Sequence, residues 1–172
     1  LDYTLQVRFS SVLTGFNLQD GFRNFVILDE LARSPSGLDI VNASFGGPLC
    51  SELAIALRLI RKSLGISCYT LGEFNAYKDA HSDLVLQYPN TLFVFAAGNE
   101  DIDAKFNLPG GGVNFSNTIV VAATDLNDER ASKNFLEKSN FGLSVNVATP
   151  GLEIYAPTPN ANAQLTYTRK FG

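Results

Sequence analysis

The sequence predicts an α/β domain of three layers, a mostly parallel β-sheet flanked by helices. Two observations carry this expectation. Short segments apolar on both faces recur along the chain, as strands covered on both sides require. Between them run stretches in which apolar side chains return at helical spacing, long enough for the crossover that parallel strands need.

In chain order, Leu5 to Phe9 (LQVRF) is short and β-prone. From Phe16 to Ala32 the apolar residues Phe22, Phe25, Val26, Leu31 and Ala32 follow a helical period, and Pro35, Ser36 and Gly37 break it. Leu38 to Gly47 (LDIVNASFGG) reads as a strand ending in two glycines. Ser51 to Gly65 reads as a helix with basic residues in its last turns and Gly65 as its stop. Ile66 to Gly72 reads as a loop or an extra strand, and Phe74 to Tyr88 as a second helix halted by Pro89. Three further strands are expected at Thr91 to Ala97, Thr118 to Ala123 and Ser144 to Ala148. After Gly110 the helical pattern disappears and short strands follow turns. With no repeat, low-complexity tract or boundary, one domain over residues 1–172 is the economical reading, and a chain this size can bury roughly 70% of its unfolded surface.

Composition narrows the function classes. The chain is 45% hydrophobic and 17% charged, a globular balance. Net charge is −4 and the basic residues are scattered, which argues against the concentrated positive face that nucleic acid requires. No apolar run approaches the roughly 20 residues that span a bilayer, and Leu1 opens no signal-peptide pattern, so no membrane partner is expected. The chain starts with Leu and contains no Met, the mark of a processed product or an excerpt of something longer. Cys50 and Cys68 form no C-x-x-C pair and read as two buried small hydrophobes. With a single histidine, His81, a zinc site is not expected.

In an open α/β sheet, ligands gather where strands end at their carboxyl edge. Two strands here end alike, in small residues: Ser44 through Gly47, and Ala96 through Gly98. Small side chains let another backbone approach closely, as an extended peptide laid alongside would. Glycines also serve ordinary turns, but the repeated ending favours a cleft. Asn99 follows directly. A side-chain amide is a neutral donor that can be aimed at an oxygen gaining negative charge during acyl transfer. An Asx-type turn, with the amide bonded to its own backbone, accounts for the same spacing, and both readings stand at this point.

Four stretches in order resemble the subtilisin-like serine proteases, the subtilases. DIVNASFGGP is similar to the family's strand and loop along one wall of the substrate cleft, and LFVFAAGNE to its oxyanion-hole strand. NTIVVAATDLNDERASKNF and SVNVATPGLEIYAPTPN resemble the two strand-and-turn segments that follow. The order and approximate spacing agree from about Leu5 to the C-terminus. The resemblance implies peptide-bond hydrolysis through an acyl-enzyme, with an extended polypeptide as substrate. It makes Asn99 the oxyanion donor, sets Ser44, Phe45 and Gly46 along one wall pairing with substrate backbone, and sets Ala97 and Gly98 along the facing wall. It implies export to a secreted or periplasmic location. No cofactor is expected; subtilases often carry calcium, but at sites that map onto no residue here. A non-catalytic peptide-binding protein of the same ancestry is the alternative.

The family works through an Asp–His–Ser triad, and its motifs are missing from this sequence. There is no Asp-Thr/Ser-Gly, His-Gly-Thr-His or Gly-Thr-Ser-x-Ala, and Gly172 stands where the last would begin. The chain by itself is therefore expected not to cut peptides. His81-Ser82-Asp83 is no substitute, since consecutive helical residues point about 100° apart; His81 reads as a solvated helix residue. Ser139 lacks the G-x-S-x-G elbow. Between FGGP and AAGN the family has one helix, whereas Ser51 to Tyr88 has room for two. Asn99 to Asp103 and Thr124 to Arg130 are acidic but miss the EF-hand spacing and read as solvated turns. Pro109 to Gly112 lacks the Lys-Ser/Thr of a phosphate loop. Asn114 to Ser116 and Asn42 to Ser44 fit the glycosylation sequon, the second on a strand expected to be buried.

Overall fold

The computed structural model describes residues 39–51, 68–133, 137–159 and 165–170. The strand expected at Leu5 to Phe9, the helix at Phe16 to Ala32 and nearly all of that at Ser51 to Gly65 lie outside the described residues.

The central sheet has four strands in the order β1-β3-β5-β6: β1 Ile40–Ala43, β3 Leu92–Ala96, β5 Thr118–Thr124 and β6 Val147–Pro150. Every pairing in it is parallel, as the apolar pattern predicts. The register sets Val41 beside Phe93 and Ala43 beside Phe95, and Phe95 beside Val120, so these residues share one face. That face forms the core: Phe93, Phe95 and Val120 are fully buried and pack in clusters with Val41, Phe45, Leu84, Val85 and Ala97. Burial of a large apolar side chain such as Phe93 or Phe95 contributes about 1.5–3 kcal/mol.

Helix α1, Leu71–Gln87, delivers Phe74, Leu84 and Val85 to that face. It begins three residues ahead of the sequence expectation because Thr70-Leu71-Gly72-Glu73 is a capping box. Thr70 N–H donates to Glu73 Oε2 at 2.8 Å, and Glu73 N–H donates to Thr70 Oγ1 at 3.3 Å. His81 corrects the sequence reading. It faces the core rather than solvent, 4% exposed, with Nδ1 2.7 Å from the Tyr77 carbonyl oxygen. Spacing explains this, since His81 lies seven residues after Phe74 and three before Leu84, on the buried stripe.

Past β1 the chain turns over into β2, Gly47–Pro48, which pairs antiparallel with β4, Asn107–Leu108. The expected continuous strand to Gly47 is thus two elements. Gly46 permits the crossing, because a Cβ there would collide with the Leu108 carbonyl. Next along, Tyr69 N–H donates to Pro48 O at 2.9 Å and Cys50 N–H to Tyr69 O at 2.8 Å. This ladder brings Cys50 and Cys68 into a disulfide with Cα atoms 5.1 Å apart. They are buried, as read, but bonded rather than two separate thiols.

Strand boundaries shift modestly. The strand expected at Ser144 to Ala148 runs instead at Val147–Pro150, because Asn146 spends its side-chain oxygen on Val120 N–H at 2.7 Å. Asn42, expected on a buried strand, has an exposed side chain. Strands β7, Ile154–Pro159, and β8, Leu165–Lys170, form a separate antiparallel hairpin, with Arg169 donating to Glu153 at 2.9 Å. No helix among the described residues is long and apolar enough to cross a membrane.

Two outcomes follow. Reducing the disulfide, or replacing both cysteines by serine, is expected to lower unfolding stability by about 3 kcal/mol for a loop of 18 residues. Urea unfolding with and without reductant reads this directly. Burial holds the His81 imidazole below its usual range, partly opposed by the bond to the Tyr77 carbonyl. The unfolded chain therefore takes up the proton more readily, so stability is complete above about pH 6.5 and is lost as pH falls below it. Thermal melts at stepped pH should show that loss, and His81→Leu should flatten it.

Candidate functional site

Because β1 and β3 pair in parallel, their carboxyl ends emerge at the same edge of the sheet. Ser44 to Gly46 leave one strand there and Ala97 to Asn99 the other, so the two segments start from neighbouring strand ends. Their individual surroundings differ. Ser44 is exposed, its hydroxyl donating to Asn42 Oδ1 at 3.2 Å. Phe45 is buried in the core, so its ring anchors the strand end and only its backbone is left for the edge. Gly46 lies against Leu108.

Ala97 is buried and its backbone is fully engaged. Its N–H donates to Val121 O at 2.9 Å, and its carbonyl accepts the side-chain amides of Asn107 at 3.1 Å and Asn140 at 2.8 Å. Gly98 has φ +103, a backbone conformation that side chains disfavour. A Cβ there would sit 2.5 Å from Glu100 Oε2 and 2.7 Å from Asn107 Nδ2, and closer still to Asn140 Nδ2.

Asn99 is exposed at the end of this strand. Its backbone N–H donates to Glu100 Oε2 at 2.8 Å. Among the described residues no hydrogen bond is made by its carboxamide. Asx-type bonding occurs nearby but uses other side chains: Asp103 Oδ1 accepts Lys105 N–H at 3.1 Å, and Asp125 Oδ1 accepts Asn127 N–H at 2.8 Å.

The segment after Asn99 is tied to a distant one. Asp101 N–H donates to Lys138 O, Phe141 N–H to Ile102 O, and Ala104 N–H to Phe141 O, at 3.1, 3.1 and 2.6 Å. Asp101, at φ 57, forms an ion pair with Arg130, whose guanidinium lies 4.8 Å over the Phe141 ring. Both charged groups are partly exposed, so the pair contributes about 1 kcal/mol or less.

Several acidic side chains among the described residues are already engaged. Asp101 is paired with Arg130, and Asp103 and Asp125 cap backbone N–H groups. The Lys105 backbone N–H is the main cause holding the Asp103 carboxyl below its usual range. Among the described residues no group of three or more His, Cys, Asp or Glu is placed to hold a metal. Ser139 is buried, with Oγ accepting Ala123 N–H at 2.8 Å, a structural arrangement rather than a nucleophile's.

Sequence reasoning missed Asn107 and Asn140. Asn140 lies 43 residues from Ala97, and an amide between Ser139 and Phe141 carries no local mark of its long-range partners.

Residues 5–171 match the family model described as the subtilase family. Comparison with curated proteins finds no match. Among solved structures, a cold-adapted subtilisin-like serine proteinase is 21% identical, covering 87% of this chain and 42% of its own, with a TM-score of 0.50. A protease structure from Pseudoalteromonas arctica is 20% identical, covering 87% of this chain and 41% of its own, with a TM-score of 0.52. The chain spans about two fifths of the length of these structures.

Gly98→Ala tests the packing of this strand end. Positive φ and the crowded Cβ position together are expected to cost about 1–3 kcal/mol. Urea unfolding measures the loss, and an unchanged midpoint would show that the loop relaxes freely.

Proposed function

The chain belongs to the subtilase family, and from that premise we propose that it forms the oxyanion side of the substrate cleft in a serine endopeptidase. One observation carries the reading. The parallel register brings two small-residue strand ends to one edge, where the Asn99 carboxamide is exposed and unengaged by the described residues. An extended polypeptide would lie along Ser44 to Gly46 and Ala97 to Gly98. Ala97 would support that wall from behind rather than touch the polypeptide, since it is buried and its N–H and carbonyl are already taken.

The reaction assigns Asn99 a single task. When a serine hydroxyl attacks the scissile carbonyl, the C=O electron pair moves onto oxygen as the tetrahedral intermediate forms. A histidine base takes the hydroxyl proton. Asn99 Nδ2–H donates to that oxygen, a bond that strengthens as negative charge develops. A carboxamide is suited to the task because it stays neutral and exchanges no proton with the base. No residue of this chain is assigned to the base or the nucleophile. His81 is buried in the core and Ser139 is bonded to Ala123, which removes the two local candidates. The disulfide favours an oxidising compartment, in keeping with a secreted or periplasmic protein.

The test is Asn99→Ala in the full-length protein, assayed on a peptide substrate. Turnover should fall by about 10²–10³ with KM little changed; the figure is the one known for removing this donor in a subtilisin, not a value obtained from this chain. Asn99→Asp should lose a similar factor, because a carboxylate accepts where the donor is needed. A fluorophosphonate should label the full-length protein. Unchanged turnover in both variants, or a folded protein that binds peptide but resists the label, would favour the non-catalytic relative instead.

A further inference from the structure

We infer that Asn140 is the positioning residue of this site, a buried carboxamide that holds the Asn99 loop so that the Asn99 side chain projects outward. The inference rests on the reading of Asn99 given above.

Asn140 is 0% exposed, and its side chain uses its full hydrogen-bonding capacity. Nδ2 donates to Ala97 O and to Glu100 Oε2, each at 2.8 Å. Oδ1 accepts Glu100 N–H at 2.9 Å and Ile102 N–H at 3.1 Å. Its backbone N–H adds a bond to Gly98 O at 2.9 Å. All of these partners lie between residues 97 and 102, on both sides of Asn99. Asn99 is reached through Glu100, whose Oε2 accepts both Asn140 Nδ2–H and Asn99 N–H. The backbone of Asn99 is thereby fixed while its own amide is left for something else.

The arrangement also accounts for Gly98. The space where its side chain would lie is taken by the Asn140 amide, with Glu100 and Asn107 beside it. Asn140 itself is held from behind, since the adjacent Ser139 hydroxyl accepts Ala123 N–H from β5. A continuous path therefore runs from the central sheet through Ser139 and Asn140 to the loop carrying Asn99. Aspartate would fit the same volume but fail electrically. It would turn an oxygen toward the Ala97 carbonyl and the Glu100 carboxylate, both acceptors, with a buried charge added.

The experiment is a double-mutant cycle in the full-length protein: Asn99→Ala, Asn140→Asp, and the two combined, with kcat and KM measured separately and thermal melts confirming folding. Displacing a reacting group by about 1 Å can cost about 10²-fold, so Asn140→Asp should lower kcat by about 10- to 100-fold with KM little changed. In the Asn99→Ala background the same change should cost less than about threefold, because there is no longer an amide to position. If Asn140→Asp does not fold, Glu100→Ala, at an exposed site, takes its place with the same non-additive pattern expected. Losses that multiply across the cycle would overturn the positioning role while leaving Asn99 in place. If Asn99→Ala costs nothing, the functional reading falls, and the positioning role falls with it.

Discussion

Parallel pairing of β1 with β3 leaves two strand ends at one edge of the sheet, and the backbone polar groups there must find partners outside the ladder. In an antiparallel pair a hairpin would absorb them. Here the loops diverge, and side-chain amides take over. Asn107 and Asn140 both donate to the Ala97 carbonyl, one from β4 and one from a segment more than forty residues downstream. The small-residue endings, the left-handed glycine and the buried amides are therefore parts of one solution. Each makes room for, or supplies, a hydrogen bond the strands cannot provide themselves.

Relative magnitudes separate what stabilises this region from what decorates it. Buried amide bonds carry a cost of about 1–3 kcal/mol for each partner left unsatisfied, and Asn140 has four such side-chain contacts. The Asp101–Arg130 pair is half in solvent and contributes far less. The disulfide acts differently, by restricting the unfolded chain between Cys50 and Cys68. The loop's shape thus depends on hydrogen bonds donated by neutral amides and backbone N–H groups, two of them to the Glu100 carboxylate.

Much of the architecture was legible in the chain. LFVFA and TIVVAAT are β-rich runs without charge, and they form the paired central strands at nearly the expected bounds. The edge segments were less clear. Β6 is exposed along its length, so its apolar content says little about its limits, and an Asn146 side-chain bond moves its start. The helix start is marked in the sequence by Thr70-x-x-Glu73, a capping pattern that the expected start at Phe74 leaves unused. His81 shares its stripe with Phe74 and Leu84, a spacing present in the chain, but a lone polar histidine does not by itself mark that stripe as the covered one.

The sequence by itself determined the class of fold, the family, and the residue types at the strand ends, because these follow from apolar runs, local turn chemistry and ordered motifs. Tertiary structure alone decided that Cys50 bonds Cys68, that Phe45 turns inward, and that Asn140 closes over the loop bearing Asn99. The physical reason is the same in each case. Such contacts join segments far apart in the chain, and a residue's type states what it can bond without stating which partner the fold will bring to it.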